Sequence, residues 1–117
     1  KGRTKILGEE HKYTLKSTFY LASVLRDMGR YVKAEKACRK ALDIRTQLEE
    51  PDYEDIGNTQ LLLAEILANS DKEKEALKMA KAAKKSYKIT EDEELVGKAD
   101  ELIKEIKSPE YNNQVSI

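Results

Sequence analysis

Small and large apolar residues recur along residues 21–42 in a pattern that predicts two packed helices. Leu21, Ala22 and Leu25 share one helical face, and Gly29 then interrupts the pattern. A second run follows and consists of Ala34, Cys38, Ala41 and Leu42. Spacings of three and four residues place each run on one face of a helix, and the small residues allow a neighbouring helix to approach closely. The stretch therefore predicts a helical hairpin with its turn at Gly29.

The same pattern recurs forty-two residues later in the chain. The equivalent pairs are Leu21 and Leu63, Ala22 and Ala64, Leu25 and Leu67, Ala34 and Ala76, and Ala41 and Ala83. A hairpin repeated at a fixed period cannot bury its apolar faces alone, so it must stack on its neighbours. We therefore expect two stacked hairpins in which Leu21 and Leu63 lie in equivalent environments.

Five helices are predicted from the periodicity and from the residues that end helices. They cover about 9–27, 31–48, 52–69, 71–89 and 92–107. Pro51 separates the second helix from the third, because proline suits the start of a helix and not its interior. Capping boxes at Ser70-x-x-Glu73 and Thr90-x-x-Glu93 are predicted to start the last two helices.

The predicted fifth helix carries one apolar stripe and one charged face. The stripe consists of Leu95, Ala99, Leu102 and Ile106. Such a helix suits the end of a stack, where it covers the apolar face of the last hairpin. The sequence thus predicts an all-α fold, a right-handed α-solenoid of helix hairpins over residues 1–107, with a flexible tail at 108–117.

The first residues match the end of a second helix. Residues 3–6 lie forty-two positions before residues 45–48 and begin with the same Arg-Thr pair. We therefore expect residues 1–6 to end a preceding repeat, and natural sequence upstream to supply at least one more hairpin.

The first hairpin resembles the tetratricopeptide repeat in the motif Leu21-Ala22-x-x-Leu25-x-x-x-Gly29-x-Tyr31-x-x-Ala34-x-x-x-Cys38-x-x-Ala41-Leu42. Thr18 stands where the family usually has a bulky aromatic residue, and Asp71 and Glu73 replace the turn glycine and tyrosine in the second copy. The long spacing and the Leu7-Gly8-Glu9-Glu10-His11 connector are similar to the extended arrays of kinesin light chains and of fungal and bacterial receptors. The resemblance implies a non-catalytic module that binds proteins.

Composition and charge narrow the range of possible partners. Twenty-two basic and twenty-two acidic residues balance, so no net charge attracts nucleic acid or anionic lipid. The lysines of the fourth helix are interpreted as a solvated face opposite the acidic fifth helix; they are Lys78, Lys81, Lys84, Lys85 and Lys88. No apolar run approaches the roughly twenty residues that span a bilayer. We predict a cytoplasmic protein with a protein or peptide partner and without a nucleic-acid or membrane partner.

The reactive residues of the sequence give little support to a catalytic function. Cys38 is the only cysteine and His11 the only histidine, which excludes a disulfide within the chain and a four-cysteine zinc site. Cys38 occupies an apolar position of the second helix, so it is predicted to be a small core residue. His11 is predicted to make a local hydrogen bond in the connector. We expect no catalytic residue, no metal and no cofactor.

The resemblance implies that the first helix of each repeat lines a concave surface where partners bind. Phe19, Leu61 and Ile103 are equivalent positions and form an apolar row, beside which lie Tyr20 and Leu62. The flanking polar residues are Lys16, Ser23, Arg26, Asn58, Glu65 and Asn69. We predict that a peptide or a partner helix binds along this row. The alternative is that the row fills space between helices.

Chaperone-tail binding, the best-known activity of the family, is not expected. The positions that hold the tail carboxylate would be Phe19, Ser23, Leu62, Asp100 and Lys104, of which only Lys104 carries a positive charge. Two other functions stay open. The chain could be a self-association or ligand-sensing segment of a larger multidomain receptor, in which helix edges at the start bind another copy, or it could be a helical enzyme or an enzyme's appendage.

Overall fold

The computed structural model describes the backbone of residues 2–108 and the side chains of residues 15–108. Five α-helices follow one another: α1 (Gly2–Asp27), α2 (Tyr31–Thr46), α3 (Tyr53–Asn69), α4 (Glu73–Thr90) and α5 (Glu93–Lys107). No strand occurs within residues 2–108. The predicted all-α fold is therefore confirmed. Residues 109–117, which form most of the predicted tail, lie outside the described residues, as does the side chain of His11.

The start of α1 differs from the prediction. The helix begins at Gly2 and not near Glu9, so residues 2–6 are continuous with α1. Glu9 is the repeat equivalent of Pro51, the residue that separates α2 from α3. Proline lacks a backbone N–H and ends a helix, whereas glutamate keeps its N–H and can continue one. The first copy of the connector therefore remains helical where the second copy breaks.

Both hairpin turns use the same backbone geometry. Gly29 has a φ of 77°, and the next amide, that of Arg30, donates a 2.8 Å hydrogen bond to the carbonyl of Leu25. In the second hairpin Asp71 has a φ of 66°, and the amide of Lys72 donates to the carbonyl of Leu67 at 2.9 Å. Aspartate tolerates the left-handed region better than most residues, so the repeat retains its turn without a glycine.

Both predicted capping boxes are wrong. The hydroxyl of Ser70 donates to the carbonyl of Ile66 at 2.9 Å, so it closes the end of α3 and does not start α4. The hydroxyl of Thr90 likewise donates to Tyr87 within α4, at 2.7 Å. A hydroxyl in the last turn of a helix can satisfy one of the free carbonyls there, which competes with capping the next helix. The residue that caps α5 is Asp92, whose carboxylate accepts from the amide of Leu95.

Helix α3 lies at the centre of the molecule. It contacts all four other helices, with α1 and α5 beside it in one layer and α2 and α4 in the second. The small residues of the repeat are fully buried: Ala22, Ala34, Ala41, Ala64, Ala76 and Ala83. Their predicted role, to allow close approach between helices, is consistent with this burial.

Leu21 and Leu63 differ in burial, although they occupy equivalent positions on α1 and α3. Leu63 is fully buried in a cluster that includes Ala34 and Cys38 of α2. Leu21 is 52 % exposed. The expectation that both lie in equivalent environments is wrong, because α2 packs against α3 and none of the described side chains covers the corresponding side of α1.

Candidate functional site

A line of accessible residues runs along the otherwise buried helix α3. Asn58, Leu61 and Glu65 are half-buried and Asn69 is exposed, whereas the opposite sides of the helix are packed against α2 and α4. Their spacings of three, four and four residues place them on one helical face. We call these four residues the α3 strip. Because α1 and α5 flank α3 in the same layer, the strip lies at the centre of the α1–α3–α5 surface.

The matching line on α1 consists of Lys16, Phe19, Ser23 and Arg26. These residues precede the α3 positions 58, 61, 65 and 68 by one repeat length. Lys16 is exposed and the other three are half-buried. The two lines repeat one arrangement, in which a half-buried apolar residue has polar neighbours on both sides.

The predicted apolar row forms part of the packing between helices. Phe19 and Ile103 pack against the main core, and Leu61 packs against a second cluster of Ala83, Tyr87 and Ala99. All three are half-buried, so they combine core contacts with some accessible surface.

The two residues predicted beside the row differ in burial. Leu62 is only 4 % exposed and belongs to the core, so its side chain is not available to a partner. Its repeat equivalent Tyr20 is 68 % exposed, like its neighbour Leu21, which is 52 % exposed. The cause is the same as for Leu21 and Leu63, namely that α2 covers this side of α3.

A hydrogen bond from α4 fixes one end of the α3 strip. The hydroxyl of the buried Tyr87 donates to Oδ1 of Asn58 at 2.6 Å. Burial raises the pKa of Tyr87 to about 12, with the carboxylates of Glu54, Glu65 and Asp92 adding to the rise. The phenol thus stays protonated at neutral pH and holds the Asn58 amide in one orientation. The amide nitrogen of Asn58 takes no part in this bond.

An ion pair joins the two lines near the middle of the surface. Nη1 of Arg26 lies 3.0 Å from Oε1 of Glu65, and Arg26 also pairs with Asp27. Burial raises the pKa of Glu65 above its usual value, the carboxylates of Glu105 and Asp27 raise it further, and Arg26 opposes the rise. The carboxylates of Glu65, Glu105 and Asp27 therefore make the surroundings of Glu65 negative, and Arg26 contributes a positive charge that partly offsets them.

Cys38 is a core residue, as predicted. It is fully buried, and its Sγ donates to the carbonyl of Thr59 at 3.3 Å. Burial raises the pKa of the thiol to about 12, in spite of the nearby Arg39 and Arg45. The thiol is therefore protonated at neutral pH, a state that is unreactive as a nucleophile.

The lysine-rich face of α4 is paired in part with α5. Nζ of Lys84 lies 2.8 Å from Oδ1 of Asp100, and this hydrogen bond lowers the pKa of the aspartate. Lys78, Lys81, Lys85 and Lys88 are exposed. This arrangement agrees with a solvated face opposite an acidic helix.

Sequence reasoning missed a cleft of about 830 Å³ between the α2–α3 connection and the end of α4. Its lining includes Pro51, Tyr53 and Ile89 together with the ion pair of Arg45 and Asp55, whose Nη1 and Oδ2 atoms are 3.0 Å apart. Nε of Arg45 is buried and has no hydrogen-bond partner among the described side chains. The sequence signal for this cleft was weak, because it consisted of two opposite charges, Arg45 and Asp55, on either side of Pro51.

The described residues contain neither a membrane-spanning helix nor a group of metal ligands. None of the helices within residues 2–108 is long and apolar enough to cross a membrane. Among the described side chains, no three or more of His, Cys, Asp and Glu are grouped so that they could bind a metal ion.

Comparison with known proteins identifies the repeat. No curated protein and no solved structure matches the chain significantly. The family model described as tetratricopeptide repeat matches residues 13–89, which is more than half of the chain and reaches from α1 almost to the end of α4. With two stacked hairpins that share one turn geometry and one set of buried alanines, this chain belongs to the tetratricopeptide repeat family.

Proposed function

We propose that this chain is a non-catalytic interaction module that binds a peptide or a partner helix along the α1–α3–α5 surface. Members of the tetratricopeptide repeat family generally mediate interactions between proteins. The observation that carries the proposal is the α3 strip, an accessible line on a central helix whose other sides are buried. The equivalent line on α1 lies on the same surface, so a ligand that extends from α3 to α1 would contact both lines.

The side chains of the two lines suit a peptide. Phe19 and Leu61 present half-buried apolar surface that can accept side chains of the ligand. The amides of Asn58 and Asn69 can bond to a peptide backbone, and the Tyr87 hydrogen bond orients the first of them in advance. An orientation that is fixed before binding lowers the entropy that the complex must lose.

The charges favour a ligand that carries a basic residue. The negative charges of Asp27 and Glu105 add to that of Glu65 and raise its pKa, whereas the positive charge of Arg26 lowers it. A lysine or arginine of the ligand that approaches Glu65 would offset this excess of negative charge and form a charge-assisted hydrogen bond. The same excess would repel an acidic peptide or a terminal carboxylate.

The proposal predicts the composition of selected ligands and the effect of one substitution. Peptides selected from a random library displayed on phage should be enriched in a basic residue next to apolar ones. Glu65→Gln should weaken their binding about tenfold, or about 1.4 kcal/mol, because it removes the charge and keeps the shape. Isothermal titration with the selected peptides measures the change. The matched control is Glu101→Gln on an exposed part of α5, which should leave the affinity unchanged.

The pH dependence gives a second check of the same site. As the pH falls through the raised pKa of Glu65, the carboxylate takes up a proton, so affinity for a basic peptide should decrease. This decrease should begin at a higher pH than an ordinary glutamate would give, and it should be smaller in Glu65→Gln. Selected peptides without a basic residue, or equal binding by the two glutamine variants, would contradict the proposal.

A further inference from the structure

Charge is unevenly distributed between the two layers of helices. Helices α2 and α4 together contain eleven basic and four acidic residues. Helices α3 and α5 contain three basic and eight acidic residues. The sequence is neutral as a whole, but the α2–α4 layer is positive, whereas α3 and α5 are negative. An acidic ligand is therefore attracted to the α2–α4 layer.

Exposed lysines without an ion pair account for most of the positive charge of this layer. On each helix they follow one another at spacings of three and four residues, which places them on one helical face. They are Lys33, Lys36 and Lys40 of α2 and Lys74, Lys78, Lys81, Lys85 and Lys88 of α4. We call these eight residues the outer lysines. Ion pairs among the described side chains include Lys72 and Lys84 but none of the outer lysines, so their charges are available to a partner.

A groove separates α2 from α4. Both helices pack on α3, but they do not pack closely against each other. Two ion pairs bridge the groove at one end: Nζ of Lys72 lies 3.0 Å from Oε1 of Glu35, and Nη2 of Arg39 lies 3.9 Å from Oε2 of Glu75. Among the described side chains, no ion pair bridges it further along, towards the ends of α2 and α4. The groove is therefore open in that part.

The open part of the groove contains a shallow pocket of about 530 Å³. Its lining is Arg39, Lys40, Leu42, Asp43, Thr46 and Gln60. Leu42 is half-buried and packs against the main core, so it presents apolar surface between charged residues. Asp43 is the one carboxylate among these six residues, and two positive charges, those of Arg39 and Lys40, exceed it. The pocket thus combines an apolar surface with a positive rim.

The floor of the pocket presents an oriented hydrogen-bond donor. The hydroxyl of Ser86, a residue of α4 that is only 7 % exposed, donates to Oε1 of Gln60 at 2.7 Å. This bond shows that Gln60 lies on the side of α3 that faces α4, so the pocket lies between the two outer helices. The amide nitrogen of Gln60 takes no part in the bond. It can therefore donate to a carboxylate or a peptide carbonyl in the pocket.

We propose that the α2–α4 groove binds an acidic peptide segment of a partner protein, with an apolar side chain in the pocket and carboxylates beside the outer lysines. Leu42 contacts the apolar side chain, and the Gln60 amide donates to the ligand. Lysines on both walls form charge-assisted hydrogen bonds with carboxylates on either side of the apolar residue. This ligand differs in charge and in place from the basic peptide proposed for the α1–α3–α5 surface, so the two ligands do not compete.

The pocket favours a peptide over other anionic partners. Proteins that bind single-stranded nucleic acid stack its bases on aromatic side chains, and none of the six lining residues is aromatic. The surface of an anionic membrane would attract the outer lysines, but it has no side chain that enters a pocket on the floor of a groove. A peptide with an apolar residue between carboxylates uses both the charge and the pocket.

Fluorescence anisotropy with a labelled synthetic peptide tests the groove. The probe carries one leucine flanked by glutamates, and its binding to the unaltered chain should weaken as salt is added. Lys40→Glu should raise the dissociation constant about tenfold, because it replaces an attractive charge at the pocket with a repulsive one. Gln60→Glu keeps the shape of the side chain but replaces the donor with a carboxylate, and it should raise the constant about fivefold. The matched controls are Lys98→Glu and Lys98→Gln on an exposed part of α5, which change the net charge by the same amounts and should leave the affinity unchanged.

Three results would overturn the proposal. The first is that the probe does not bind at low salt, or binds all four variants equally. The second is equal binding of a peptide in which alanine replaces the leucine, because the lysines would then attract the ligand without the pocket. The third is tighter binding of a single-stranded oligonucleotide or of phosphatidylserine vesicles. Basic peptides selected for the Glu65 site should bind Lys40→Glu as they bind the unaltered chain, so the two proposed sites succeed or fail independently.

Discussion

Replacement of Leu63 by alanine is expected to lower the free energy of unfolding by about 2–5 kcal/mol. Leu63 is fully buried on the central helix, within the cluster that also contains Ala34 and Cys38. Truncation removes three carbon atoms from this cluster and leaves a cavity. The facing residues on α2 are small, so they have little side chain with which to fill it. Urea unfolding followed by far-UV circular dichroism measures the loss.

The matched control is Leu21→Ala, the same substitution at the equivalent position of the first repeat. Leu21 is 52 % exposed, so its truncation should cost less than about 1 kcal/mol. Losses of similar size would show that the side of α1 around Leu21 is covered in the monomer, contrary to the structure.

The comparison between Leu21 and Leu63 also shows what the sequence could predict. The helical spacing and the turn at Gly29 depend on residues close together in the chain, and the hairpins follow from them. The buried alanines were predictable too, because small residues recur at equivalent positions of the two repeats, where helices approach closely. The exposure of Leu21 depends on which helices pack beside it, and the pattern of residues within a repeat carries no information about that.

Helix ends were harder to predict for a different reason. Ser70 and Thr90 stand between two helices, and a hydroxyl there can bond to the helix before it or to the helix after it. The predicted start of α1 near Glu9 was wrong because Glu9, unlike its repeat equivalent Pro51, keeps its backbone N–H and lets the helix continue. In each case the residue types permit two outcomes.

The sequence predicts which residues of the candidate site share a helical line but not how they interact. Periodicity alone places Asn58, Leu61 and Glu65 on one line of α3. The hydrogen bond from Tyr87 to Asn58 and the ion pair between Arg26 and Glu65 connect residues on different helices, 29 and 39 positions apart in the chain. Contacts at such separations depend on the packing angle of the hairpins, which the sequence pattern does not specify.

Gly57→Ala is expected to destabilise the protein by about 1–3 kcal/mol, although alanine is the better helix former. Gly57 lies in α3 directly beneath the Tyr87 ring, and an added Cβ would lie 2.5 Å from Cε1 and 2.7 Å from Cδ1 of that ring. Tyr87 is fully buried, and its hydroxyl is held by Asn58. The ring cannot move aside without losing that hydrogen bond or disturbing its contacts with Ala83 and Ala99.

The matched control is Gly97→Ala in α5, where an added Cβ would meet no atom within 4 Å. Here the helix propensity acts alone, so the same substitution should stabilise the protein by about 0.5–1 kcal/mol. Thermal unfolding of the two variants should therefore show shifts of opposite sign. Because both variants replace a helical glycine with alanine, the difference between them measures the cost of displacing Tyr87. A stabilised Gly57→Ala variant would show that the ring repacks freely, and the fixed orientation of Asn58 in the proposed ligand site would then lose its support.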